Sequence, residues 1–169
     1  MSGFFGNSSS SILKQTGIAT STITTNVETN QAIVTVPAGL MGANGRLHIV
    51  ALWTFVGVAN TKIVRIRFSA TSGDTSTGFL LQDFTTAAGA LTFGISKSIW
   101  NANATNAQIA LLAGSGGQTD GTGSVSSANI TGSIDTTAAT YVNFNSACTN
   151  NSVDTARVSA YSVTWFPGV

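Results

Sequence analysis

Charge is what this 169-residue chain has least of: 8% of its residues are Asp, Glu, Lys or Arg, against roughly 25% in an average soluble domain. Seven basic and six acidic side chains nearly cancel, leaving a formal net charge of +1. Seven Lys and Arg scattered along the chain cannot form the clustered positive footprint that phosphate recognition needs, so no nucleic-acid partner is expected. A single Cys excludes a disulfide framework and a cysteine zinc cluster. No run of 18 or more apolar residues occurs, which excludes a membrane-spanning helix, and no membrane partner is expected. The first residues lack the basic segment followed by an apolar stretch that marks a secretory signal. Hydrophobic residues nevertheless reach 43%, which is incompatible with an acidic or basic disordered chain.

Small polar residues take the place of charge: Ser and Thr total 45, Asn adds 13, and Glu occurs once. Ser, Thr and Asn compete for backbone hydrogen bonds inside helices, whereas Thr and Val suit a pleated surface, so an all-β fold is expected. A mean hydropathy of +0.27 with almost no net charge is unusual for a free monomer. Part of the surface is therefore expected to be covered by other subunits.

Residues 1–30 show no sustained period and read as an extended N-terminal arm, in which Phe4 and Phe5 form an aromatic tip and Ile12 and Leu13 an apolar step. Residues 31–169 read as one domain. Its clearest strand spans residues 46–56, where Leu47, Ile49, Ala51, Trp53 and Phe55 alternate with Arg46, His48, Val50, Leu52 and Thr54. The middle of the second face, Val50 and Leu52, is also apolar, as if a second subunit covered it. An Asn44-Gly45 turn precedes this strand, and another follows with Val64, Ile66 and Phe68 on one face and Arg65 and Arg67 on the other. Further strands are expected around residues 79–84, 91–99, 109–113, 125–134, 142–144 and 157–166, with residues 114–124 a Gly-rich loop. Eight or nine short strands without a fixed repeat predict an antiparallel β-sandwich of jelly-roll type. The expected core is Leu47, Ile49, Trp53, Phe55, Val64, Ile66, Phe68, Phe93, Ile95, Val142 and Phe144.

Chemistry-bearing groups are sparse. The acids Glu28, Asp74, Asp83, Asp120, Asp135 and Asp154 are well separated and sit mostly in turn contexts. His48 is the only neutral-pH base, and no Gly-X-Ser-X-Gly elbow stands in a strand-to-helix setting to partner it. Cys148 has no basic neighbour in sequence and reads as a small buried residue. The 114–124 loop lacks the Gly-Lys-Ser/Thr ending of a phosphate loop. Asp120 alone cannot fill a calcium shell of six to eight oxygens. No enzyme activity, cofactor or metal is expected. His48, Val50, Leu52, Arg65 and Arg67 are the candidate subunit interface. Trp100, Asn101 and Asn103 are the candidates for stacking against a saccharide.

The segment PAGLMGANGRLHIVALWTFVGVANTKIVRIRF, residues 37–68, resembles a segment of small tailed-bacteriophage and prophage virion proteins. The resemblance lies in Leu40, Gly42, Ala43, Asn44 and Gly45, then Asn60, Thr61 and Lys62, then Arg65, Ile66 and Arg67. The closing RVSAYSVTWFP is similar to their last strand, although Met41 interrupts the family's usual Leu-Gly spacing. The resemblance implies a jelly-roll sandwich, often trimeric, on the outside of a virion. The expected function is accordingly a structural protein that decorates or cements the capsid surface as a homotrimer. Its partners would be itself and the major capsid protein or another virion protein, held through the arm residues Phe4, Phe5, Ile12 and Leu13. The alternative is a tail fibre or receptor-binding tip that recognises a host glycan.

Overall fold

A computed structural model describes residues 9–112, 128–149 and 154–168. Among them are ten strands and no helix: β1 (Ser11–Thr16), β2 (Thr29–Val36), β3 (Arg46–Val56), β4 (Lys62–Ser69), β5 (Phe79–Thr85), β6 (Thr92–Asn101), β7 (Gln108–Leu112), β8 (Ala128–Gly132), β9 (Thr140–Cys148) and β10 (Thr155–Phe166). They form a six-stranded sheet in the order β1-β10-β3-β6-β7-β8 and a four-stranded sheet in the order β2-β9-β4-β5. Every pairing is antiparallel. Without the β7–β8 hairpin the two sheets contain four strands each, in the interleaved double Greek-key order of a jelly roll. The fold expected from the sequence is the fold observed, with β7 and β8 extending one sheet.

Period-two patterning builds it. Along β3 the inward positions Leu47, Ile49, Ala51, Trp53 and Phe55 are all buried, while the residues between them are partly or fully exposed. Val64, Ile66 and Phe68 of β4 and Val142 and Phe144 of β9 close the core from the other sheet, and all eleven expected core residues are buried. Trp53 sits between Phe93 and Phe144, with ring centroids 6.0 and 6.2 Å away. Its indole N–H donates to Ser146 Oγ at 3.0 Å, so a polar atom in the middle of the core has a partner.

Two features depart from the sequence reading. Residues 1–8 of the expected arm lie outside the described residues, but Ser11–Thr16 pairs with β10 as the edge strand of the larger sheet. Ile12 and Leu13 are thus sandwich residues: Ile12 faces solvent and Leu13 packs against the core. The second departure is a set of lysines drawn inside. Lys62 is fully buried, 3.2 Å from Asp154, and its ammonium also donates to the carbonyls of Gly57 at 2.7 Å and Ala88 at 2.8 Å. Lys97 is fully buried on the inward register of β6 and donates to the Leu111 carbonyl at 2.8 Å. The expected loop at residues 114–124 lies outside the described residues.

Candidate interaction surface

The two sheets present very different outer faces. On the four-stranded sheet, β4 points Arg65 and Arg67 outward, and both meet Glu28 in the segment that crosses from β1 to β2. Arg65 also pairs with Asp83 of β5 at 2.9 Å. Asn145 of β9 donates to Glu28 Oε1 at 2.9 Å and accepts from Asn30 at 2.8 Å. The β4–β5 connection folds over the same face: Gly73 N–H donates to Asn143 Oδ1 at 2.8 Å. Asp74 Oδ1 in that connection accepts the amides of Ser76 and Thr77, while its Oδ2 accepts the hydroxyl of Ser69.

Burial alone would raise both carboxyls, but donated hydrogen bonds reverse the sign. Glu28 is held below its ordinary value by Arg67, Arg65 and Asn145, and Asp74 is held far below by Ser69, Thr77 and Ser76. This face is a closed polar network in which Arg65 and Arg67 are paired with Glu28 and Asp83, and the Asp74 carboxylate is held by neutral donors.

The outer face of the six-stranded sheet is open. At its centre β3 exposes Val50 and Leu52, each 41% accessible. Cross-strand neighbours of Val50 are Ser96 and Ser162, and those of Leu52 are Gly94 and Ala160, all too small to cover the two side chains. A shallow depression of about 250 Å³ runs beside them, lined in part by Gln15, Gly17, Ala160 and Ser162. One step along, His48 lies between two serines, with Nδ1 3.1 Å from Ser98 Oγ and Nε2 3.2 Å from Ser96 Oγ. Charge appears only at the ends of this central strip. Arg46 stacks over Phe166 at 4.0 Å and stands 6.0 Å from the Trp100 ring, and Arg157 lies opposite Thr54.

The five candidate interface residues therefore do not form one patch. His48, Val50 and Leu52 share one outer face, whereas Arg65 and Arg67 lie on the opposite sheet and are engaged by Glu28 and Asp83. In sequence, alternation gave the arginines an outward direction, but nothing marked Glu28 as their partner across 37 and 39 residues.

The saccharide candidates divide as well. Trp100 is half-buried beside Arg46 and Ile109, and Asn103 is exposed in the β6–β7 turn with a left-handed φ of 61°. Asn101 is buried. Its amide donates to the Gly42 carbonyl and to Thr136 Oγ1, and its oxygen accepts from Gln108, which ties three loops together at one end of the sandwich. It is a structural pin with no free polar atom for a sugar.

At that same end, Leu40, Met41, Ala43, Asn44, Trp165, Pro167 and Gly168 line a groove of about 320 Å³. The Trp165 indole nitrogen is buried without a hydrogen-bond partner. Cys148 is buried, and its thiol is raised chiefly by desolvation. Among the described residues no three His, Cys, Asp or Glu side chains converge as a metal site requires. Phe4 and Phe5 lie outside the described residues.

Compared with known proteins, the sequence matches no family model and no curated protein.

Proposed function

We propose that this chain is a non-enzymatic structural protein that self-associates as a homotrimer and decorates the outer surface of a bacteriophage capsid. The observation that carries the assembly part is the apolar, uncharged centre of the six-stranded sheet around Val50 and Leu52. It lies on an interior strand of the sheet rather than on a loop. A neutral patch of this kind meets a second copy of itself without like-charge repulsion, and covering it removes apolar surface from water. The jelly-roll order of the strands agrees with what the resemblance of residues 37–68 to virion proteins implies. The virion assignment itself rests on that resemblance. Trimers suit the local three-fold positions of a capsid lattice.

The tail-tip reading has less support, since Asn101 is engaged inside the fold and only Trp100 and Asn103 remain of its three contacts. Copy number separates the two. Quantitative gels of purified particles, with the major capsid protein as internal standard, should give about one chain per capsid protein. A handful of copies per particle would contradict decoration and favour the tail.

A further inference from the structure

We infer that His48 makes assembly through the open sheet acid-sensitive, so that a covering subunit is accepted while the imidazole is neutral and released when it takes up a proton. The inference rests on the self-association proposed above and adds the condition that reverses it.

His48 is the only histidine in the chain, and imidazole is the side chain that ordinarily changes charge between pH 5 and 8. It stands half-buried on the outer face of β3, one outward step from exposed Val50 and two from exposed Leu52. One such step is about 7 Å along a strand, so a subunit seated on Val50 and Leu52 also covers the ring.

The surroundings of the ring decide the sign. Its register partners are Ser98 on β6 and Thr164 on β10, and its nitrogens meet the hydroxyls of Ser98 and Ser96. A neutral imidazole has one donor and one acceptor, and a hydroxyl serves as either, so both contacts are made without charge. The charged side chains on the strands of this sheet are Lys14 on β1, Arg46 on β3, Lys97 on β6 and Arg157 on β10, while β7 and β8 carry none. No carboxylate is among them. Lys97 is buried on the inward register, Lys14 lies over the Tyr161 ring, and Arg157 is at the far end opposite Thr54. Arg46, on the same face as His48 and two residues away, is a like charge.

A proton on His48 therefore meets neutral hydroxyls and a neighbouring cation. Under the proposed reading the arriving surface is the same sheet, whose strands bring no carboxylate either. Covering the imidazolium would withdraw a charge from water without a counter-ion, whereas the uncovered subunit leaves it hydrated. The domain is not at risk in this window, because Glu28 and Asp74 are held below the ordinary carboxylate range by their donors. Release is thereby separable from unfolding.

The test is the association constant of the full-length protein by sedimentation equilibrium at pH 7.5 and 5.5, with circular dichroism showing a folded chain at both. Association should be at least tenfold weaker at pH 5.5, and in His48→Gln the ratio between the two pH values should fall close to one, whatever the variant's own affinity. Equal association at both pH values in the unaltered chain would overturn the acid switch and leave self-association standing, whereas a monomer at both would overturn both. An equal loss in His48→Gln would overturn the role of His48. Linkage supplies a readout that needs no variant. The single histidine gives a single imidazole resonance, and its titration midpoint should move to lower pH as protein concentration rises. A midpoint independent of concentration in an associating protein would contradict the inference.

Discussion

At the residue scale, Gly57 is a position that has no room for a side chain. Its φ of +89° is one that side chains rarely adopt, and a Cβ there would stand 1.8 Å from Asp154 Oδ1. Asp154 receives the buried Lys62 ammonium and the Asn60 amide, so any shift to relieve the clash disturbs a fully buried ion pair. Gly57→Ala is therefore expected to lower the thermal midpoint by more than about 5 °C, as read by calorimetry, through backbone strain and the displaced carboxylate together. Ala at Gly89, which has open space around it, is the control and should leave the midpoint unchanged.

The depressed carboxyls give a pH dependence with a definite sign. Because Glu28 and Asp74 have folded values below their unfolded ones, the stability they contribute is complete above the ordinary carboxylate range, near pH 4. It is lost as pH falls through the lower folded values. The midpoint should stay level from pH 7 to about 5 and decline below about 4. In Glu28→Gln the acid decline should be shallower and the neutral midpoint lower. None of these partners is legible in sequence. Glu28 stands in an irregular crossing segment and Asp154 between two strands, and their contacts are set by the sheet order, which brings distant segments together.

At the scale of elements, legibility followed how much of a strand's energy comes from burial. β3 carries an apolar residue at every inward position and β4 at Val64, Ile66 and Phe68, so alternation alone located them and the core they build. β1 is the counterexample. Four of its six positions are exposed and the other two only half-buried, and a register shift between Ile12 and Lys14 breaks what period it has. It is held by the backbone ladder to β10, and a ladder leaves no mark on composition.

Truncation tests this assignment. Removing residues 1–8 should leave the far-ultraviolet spectrum and thermal midpoint unchanged, whereas removing residues 1–16 strips β10 of a partner and should lower the midpoint by several degrees. Equal midpoints for the two truncations would contradict the placement of β1 in the sheet. The lysines at positions 62 and 97 were equally hidden, because a charge on the inward register violates the pattern that identifies strands. Such positions are tolerated here because backbone carbonyls and a carboxylate receive the ammonium groups.

At the scale of the whole molecule, the scarcity of charge and its placement belong together. Most of the described charged groups are either buried, as Lys62, Lys97, Asp74 and Asp154 are, or matched on the four-stranded sheet, as Glu28, Arg65, Arg67 and Asp83 are. The open sheet is left neutral and apolar at its centre. Composition led to the expectation of a covered surface, and alternation along β3 placed Val50 and Leu52 on the outer face, where they are exposed. What sequence could not supply was that Arg65 and Arg67 belong to the other face, since assigning a residue to a sheet requires the strand order.

The central claim is that the neutral face mediates self-association, and the most direct measurement is the mass of the full-length protein by sedimentation equilibrium over a range of concentrations. A mass three times the 17.2 kDa of one chain is predicted, little changed by 1 M salt because the centre of the patch carries no charged side chain. Leu52→Lys should return it to monomer without lowering the thermal midpoint. A single-chain mass at all concentrations, or a trimer indifferent to Leu52→Lys, would contradict the account.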